Sequence, residues 1–176
     1  MSNINIINNY LDRFTLNALQ EYARSESVPW VDTGDIWAGR FVHLHLIDNV
    51  AIKEIIETIS TDVAELIAQN TGDKVAVETC QLVRWRIGDQ LDPPHADAEN
   101  LDGSKHPYPQ RHYSALVYLN NDFEGGQIFF PNHNLTPEIN PGMLVQFTGK
   151  AEDLHGVTRV MSGIRYTIVM FFTRIV

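Results

Sequence analysis

From residue 75 onward the chain breaks into short runs rich in β-branched and aromatic residues, each halted by turn-forming residues. No other feature limits its possible folds so tightly. The runs cover 75–87, 113–119, 127–130, 143–147, 156–160 and 164–175. The breaks are Asp92-Pro93-Pro94, Asn120-Asn121-Asp122, Glu124-Gly125-Gly126, Asn140-Pro141-Gly142 and Met161-Ser162-Gly163. Proline removes a ladder donor, glycine reaches positive φ, and Asn and Asp bond to their own backbone, so each break closes a strand. Short strands at this spacing predict a sandwich or small barrel.

The residues before Lys74 follow a different period. Leu11, Phe14, Ala18, Leu19 and Tyr22 recur at three- and four-residue steps and predict a helix over 10–22. Ile52, Ile55, Ile56, Ile59, Val63, Leu66 and Ile67 predict a second helix over 48–70, stopped by Asn70-Thr71-Gly72-Asp73. Residues 40–47 alternate polar and apolar, which suggests a strand. No linker-like stretch divides the chain. We therefore expect one α+β, mainly β domain, with 1–74 as helical support and 75–176 as the core. Residues 100–110, with Gly103 and two prolines, read as a mobile loop.

Charge and cysteine content narrow the function classes. A net charge of −9 over 176 residues argues against charge-driven binding to nucleic acid or an anionic membrane. Cys80 is the only cysteine, so an intrachain disulfide and a thiolate metal cluster are both excluded. It lies in an apolar run and reads as an inert buried thiol. The start, MSNINIINNYLDRF, lacks the basic segment and apolar run of a secretory signal. Nor does any stretch approach the roughly 20 apolar residues that span a bilayer. The expectation is a cytoplasmic protein with neither a nucleic-acid nor a membrane partner.

Two clusters carry candidate chemistry. In His95-Ala96-Asp97 the ligand-type residues stand two apart, and on an extended segment they point the same way, roughly 6–7 Å apart. His155 would have to arrive from another strand. Two histidines and one carboxylate cover one face of an octahedral ion and leave three positions open, an arrangement typical of oxygen-activating Fe(II). Asp97 can equally be a turn residue, and His155 a loop residue ahead of Gly156. Arg165 opens the last run, sharing a face with Thr167, Val169, Phe171 and Thr173. A covered arginine needs a partner: a ligand carboxylate, or one of the 22 acidic side chains. Tyr118 can donate to the same carboxylate or simply fill the core. His43 and His45 alternate on a strand but have no acidic neighbour in sequence, and read as structural.

Together these blocks resemble the prolyl 4-hydroxylase-like family of Fe(II)/2-oxoglutarate dioxygenases. Residues 82–88 followed by His95-Ala96-Asp97 look like its strand and iron motif, and residues 111–120 like the strand after the mobile loop. Residues 124–131 resemble its glycine-pair turn. Residues 142–147, His155-Gly156-Val157 and Gly163-Ile164-Arg165-Tyr166 match the second half.

The resemblance implies a double-stranded β-helix, of jelly-roll or cupin type, with iron between two opposed antiparallel sheets. It implies Fe(II) bound by His95, Asp97 and His155, and 2-oxoglutarate held through its far carboxylate by Arg165 and Tyr118. It further implies O2 as co-reactant, release of succinate and CO2, hydroxylation of a peptidyl prolyl or similar amino-acid substrate, and ascorbate as an accessory reductant. Residues 100–110 become a candidate lid, or else a plain surface excursion. Trp85 falls where members often carry a pocket tyrosine, as wall or as donor. Arg84, Arg86 and Arg111 either face the substrate or are solvated strand residues.

There are departures. Arg165 stands where many members have lysine, and Ile128 where a threonine is common. Asp97 is retained, which counts against halogenation. The rival from another class is a non-catalytic, cupin-like metal-binding module. Arg165 favours the enzyme, because a structural metal site has no need of it.

Overall fold

The computed structural model describes residues 4–35 and 37–175; residues 1–3 of the start read above, Ile36 and Val176 lie outside the described residues. Among the described residues there are nine strands: β1 (Asn5–Ile7), β2 (Phe41–His43), β3 (Val75–Trp85), β4 (Leu91–His95), β5 (Tyr113–Tyr118), β6 (Ile128–Phe129), β7 (Leu144–Thr148), β8 (His155–Val157) and β9 (Arg165–Arg174). They form a six-stranded sheet, β1-β7-β5-β9-β3-β2, and a three-stranded sheet, β4-β8-β6. Every pairing is antiparallel.

The large sheet is organised by β3 and β9, which pair from Val75↔Arg174 to Trp85↔Arg165 across one bulge. Alternation then sorts the side chains. Leu82, Ile168, Met170, Phe172, Ala115 and Val117 join a core with α1 (Arg13–Arg24) and α2 (Val50–Thr71), where Leu19, Ile56, Val63 and Ile67 are buried. Each such buried aliphatic or aromatic side chain contributes about 1.5–3 kcal/mol. The opposite face carries Leu116, Tyr118, Val145 and Phe147, packed on Ile128, Phe130 and Met143. All six residues of β5 are buried, as a strand covered on both sides requires.

Local chemistry sets the helix ends. Asp12 accepts from the Phe14 and Thr15 amides, so α1 begins at Arg13 rather than at Tyr10. Asn49 caps α2 through the Ile52 amide, and Gly72 closes it at φ 80°.

Several elements differ from the sequence expectation. The strand expected over 40–47 ends at His43 and turns into a 3-10 segment, Leu44–Leu46, because β2 meets its partner over three residues only. Asp92-Pro93-Pro94 is not a break. It lies inside β4, whose ladder to β8 holds at Leu91↔Val157 and His95↔His155. Proline is tolerated there because β4 is a sheet edge. The segment before Lys74 supplies both edge strands of the large sheet, β1 and β2, as well as the two helices. β8 begins at His155, so the histidine belongs to the ladder and is no loop residue. A Cβ on Gly156 would sit 2.6 Å from the Leu91 carbonyl oxygen, which is why glycine follows His155 where β4 and β8 meet.

Candidate metal centre

The register of the small sheet sets His95 directly opposite His155, their ring centroids 4.6 Å apart. Asp97, two residues beyond His95, points the same way. One ligand atom from each of the three lies within 4.8 Å of the others. Asp97 Oδ1 is 3.4 Å from His95 Nε2, and Asp97 Oδ2 is 3.7 Å from His155 Nε2. Asp97 and His155 are buried, while the His95 side chain is 38% exposed, so the centre opens on the His95 side.

The protonation forms suit a cation. Burial raises the Asp97 pKa, but neighbouring His155 and His95 and the Ser114 hydroxyl outweigh it, holding the carboxyl well below the usual carboxylate range. Ser114 donates to Asp97 Oδ2 at 2.5 Å. Burial depresses the His155 pKa, against the pull of Asp97, which favours the neutral ring. His155 Nδ1 donates to the Asp153 carbonyl at 3.1 Å, leaving the Nε2 lone pair to face Asp97 and His95. Phe147 and Phe130 pack on the ring at 4.5 and 5.9 Å between centroids. With the His155 ring neutral, two imidazole nitrogens and one carboxylate can hold a divalent ion on one side and leave the rest of its coordination sphere open.

Arg165 projects from β9 on the same side of the large sheet as Tyr118 and Thr167. It is 2% exposed. Among the described residues no carboxylate forms an ion pair with it, which removes the internal salt bridge as an explanation. Its Nη2 donates to the Tyr118 hydroxyl at 3.1 Å, and the Ile128 amide donates to the same oxygen at 3.3 Å. That hydroxyl therefore keeps its own proton for a further acceptor. Arg165 Nε and Thr167 Oγ1 are buried without a hydrogen-bond partner among the described residues. Spare buried donors around one guanidinium fit a carboxylate, which accepts several at once. Thr167 is the residue that sequence reasoning passed over, although its place two after Arg165 on one strand face was a readable signal.

The remaining candidates do structural work. The Trp85 ring lies 5.7 Å from the Arg165 guanidinium and meets Trp37 edge-on at 6.0 Å, so it forms a wall. Arg84 and Arg86 donate to the Gly39 and Ala38 carbonyls. Arg111 bonds Glu78 at 3.2 Å between the rings of Tyr108 and Phe171. His43 and His45 stack on each other at 5.4 Å, and His43 contacts Gln81.

Two opposed antiparallel sheets with such a three-ligand centre between them define the double-stranded β-helix of non-haem oxygenases. The chain belongs to the 2OG-Fe(II) oxygenase superfamily, whose family model matches residues 80–173. Human prolyl 3-hydroxylase 1 is 38% identical over 112 residues, covering 57% of this chain and 15% of that protein. This chain thus matches about 15% of the length of such curated relatives. The fold is similar to that of a collagen prolyl hydroxylase from Paramecium Bursaria Chlorella virus-1, solved with 2OG. There the TM-score is 0.75 and identity 21%, with 99% of this chain and 97% of that chain covered. A Trichoplax adhaerens prolyl hydroxylase in complex with a hypoxia inducible factor peptide fragment gives a TM-score of 0.75 at 20% identity, covering 98% and 84%.

Proposed function

We propose that this chain is an Fe(II)- and 2-oxoglutarate-dependent dioxygenase that hydroxylates a C–H bond of a peptidyl prolyl or similar amino-acid substrate. The observation that carries the reading is Arg165. It is buried, has no ion pair among the described residues, and lies beside the Tyr118 and Thr167 hydroxyls on the sheet face that looks toward the metal centre. A non-catalytic metal-binding module gives no reason for that arrangement.

In this reading His95, Asp97 and His155 hold the iron, and Arg165, Tyr118 and Thr167 grip the far carboxylate of the 2-oxo acid. Bound together, iron and cosubstrate supply the oxidising chemistry: O2 and 2-oxoglutarate are consumed, succinate and CO2 leave, and one oxygen atom enters the substrate. The chain's own part is positional. Ser114 holds Asp97 at the centre, and Phe130 and Phe147 keep water from His155. Residues 100–110, mostly exposed, serve as the lid.

The peptide substrate is read from the relatives and structural neighbours, which are prolyl hydroxylases. Ascorbate as accessory reductant and a cytoplasmic setting complete the proposal. Among the described residues no helix is long and apolar enough to cross a membrane. The test is an anaerobic structure with Mn(II) and 2-oxoglutarate, paired with an assay of succinate release on added Fe(II). We expect metal on the three side chains and the ligand carboxylate on Arg165. A chain that binds metal but neither binds nor turns over 2-oxoglutarate would return the balance to the binding module.

A further inference from the structure

The loop from β7 to β8, residues 149–154, is closed by one buried acid. Asp153 is 0% exposed, and its carboxylate accepts from three protein donors. The Thr148 amide and hydroxyl reach Oδ2 at 2.9 and 2.7 Å, and His133 Nε2 reaches Oδ1 at 2.7 Å. The carbonyl of the same residue accepts from His155 Nδ1. His133 ends the 3-10 turn Pro131–His133 that follows β6, and neighbouring Asn132 donates to the Ala151 carbonyl at 3.0 Å. The side chain of Asp153 thus ties two separate segments to the peptide that orients a metal ligand.

We infer that Asp153, braced by His133 and Thr148, is a positioning residue for the metal centre: it fixes the carbonyl that selects the ring tautomer and aim of His155. The inference rests on the metal-centre reading above. Its physical basis is that a ligating histidine is aimed by what its other nitrogen bonds to. The contrast with His95 sharpens it, because His95 Nδ1 is buried without a hydrogen-bond partner among the described residues. Among the described residues only the His155 imidazole is hydrogen-bonded from behind, so its aim, unlike that of His95, is set through Asp153. A carboxylate with three donors is also costly to misplace, since each donor would be left unpaired.

The experiment measures Co(II) affinity of the full chain by titration of its ligand-field spectrum, together with thermal unfolding of the metal-free protein. Asp153→Asn and Asp153→Ala are expected to weaken Co(II) binding by about 10- to 100-fold, the range typical of outer-shell partners. His133→Leu, which removes a donor further out, is expected to weaken it less, and His133→Gln, whose amide can still donate to Oδ1, to recover most of the loss. Should the Asp153 variants fail to fold, the two His133 variants carry the test through their difference. A purely structural role would lower the unfolding temperature of the metal-free protein and leave Co(II) affinity of the folded fraction unchanged; that result overturns the inference. A wild-type chain that binds no Co(II) would overturn the metal-centre reading itself, and the two failures are therefore distinguishable.

Discussion

The two ends of the site are built on opposite principles. At the metal end, Asp97 and His155 are already held by protein, although His95 Nδ1 has no partner among the described residues: Ser114 donates to Asp97, and the Asp153 backbone carbonyl accepts a hydrogen bond from His155 Nδ1. At the acid end, Arg165 Nε and Thr167 Oγ1 have no partner among the described residues, and the Tyr118 hydroxyl holds a proton in reserve. The first arrangement suits a resident ion, whose ligands must be aimed before it arrives. The second suits an anion that comes and goes, because its partners must exchange with each turnover. The two histidines stand on the small sheet and Arg165, Tyr118 and Thr167 on the large one, with Ser114 and the Ile128 amide reaching across, so damage to one end need not abolish the other.

That separation can be broken most severely at the metal end. Asp97→Ala and His95→Ala are expected to lower succinate release by more than about 100-fold, beyond what outer contacts cost. The metal-free protein should keep its fold, but Asp97→Ala should lower its unfolding temperature, because the His155, His95 and Ser114 interactions that outweigh the burial of this carboxylate are lost with it. Near-normal turnover in either variant would mean that the ion is held elsewhere.

The acid end should yield a different signature. Arg165→Ala is expected to raise KM for 2-oxoglutarate at least about 30-fold, the loss typical when one partner of a buried charge pair is truncated. Metal affinity should be unchanged. Arg165→Lys keeps the charge but loses the fork and should fall between the two, while Tyr118→Phe should cost about 10-fold or less. A parallel loss of metal affinity in these variants would show the two ends to be coupled.

The smallest effect lies on the far face of the large sheet, away from both ends. Burial, with a minor push from Glu57, raises the Cys80 thiol to about 12. The folded state keeps this proton while the unfolded chain loses it near its ordinary value of 9.0. Stability from this group is therefore intact below that pH and falls as pH rises toward 12, by up to about 1.4 kcal/mol per pH unit. Cys80→Ala should flatten that fall in urea unfolding between pH 9 and 11, and the native thiol should resist alkylation at neutral pH. Turnover at neutral pH should not change.

The chain's own pattern went far. Turn pairs and alternation were enough to find the cores of seven strands and both helices, because a period of two or of 3.6 is a local property of the backbone. His95-Ala96-Asp97 and the face shared by Arg165 and Thr167 are legible for the same reason. What lay beyond local pattern was every feature made by one segment meeting another. β1 has three residues, too few to show a period, and exists because β7 offers it an edge. Pro93 and Pro94 read as a break, yet the ladder to β8 resumes on either side of them. The β4–β8 register brings His95 opposite His155. Packing between the sheets leaves Arg165 without an acid among the described residues, and Asp153 folds back onto Thr148 and His133. Those outcomes depend on long-range pairing energies, which no short window of sequence contains.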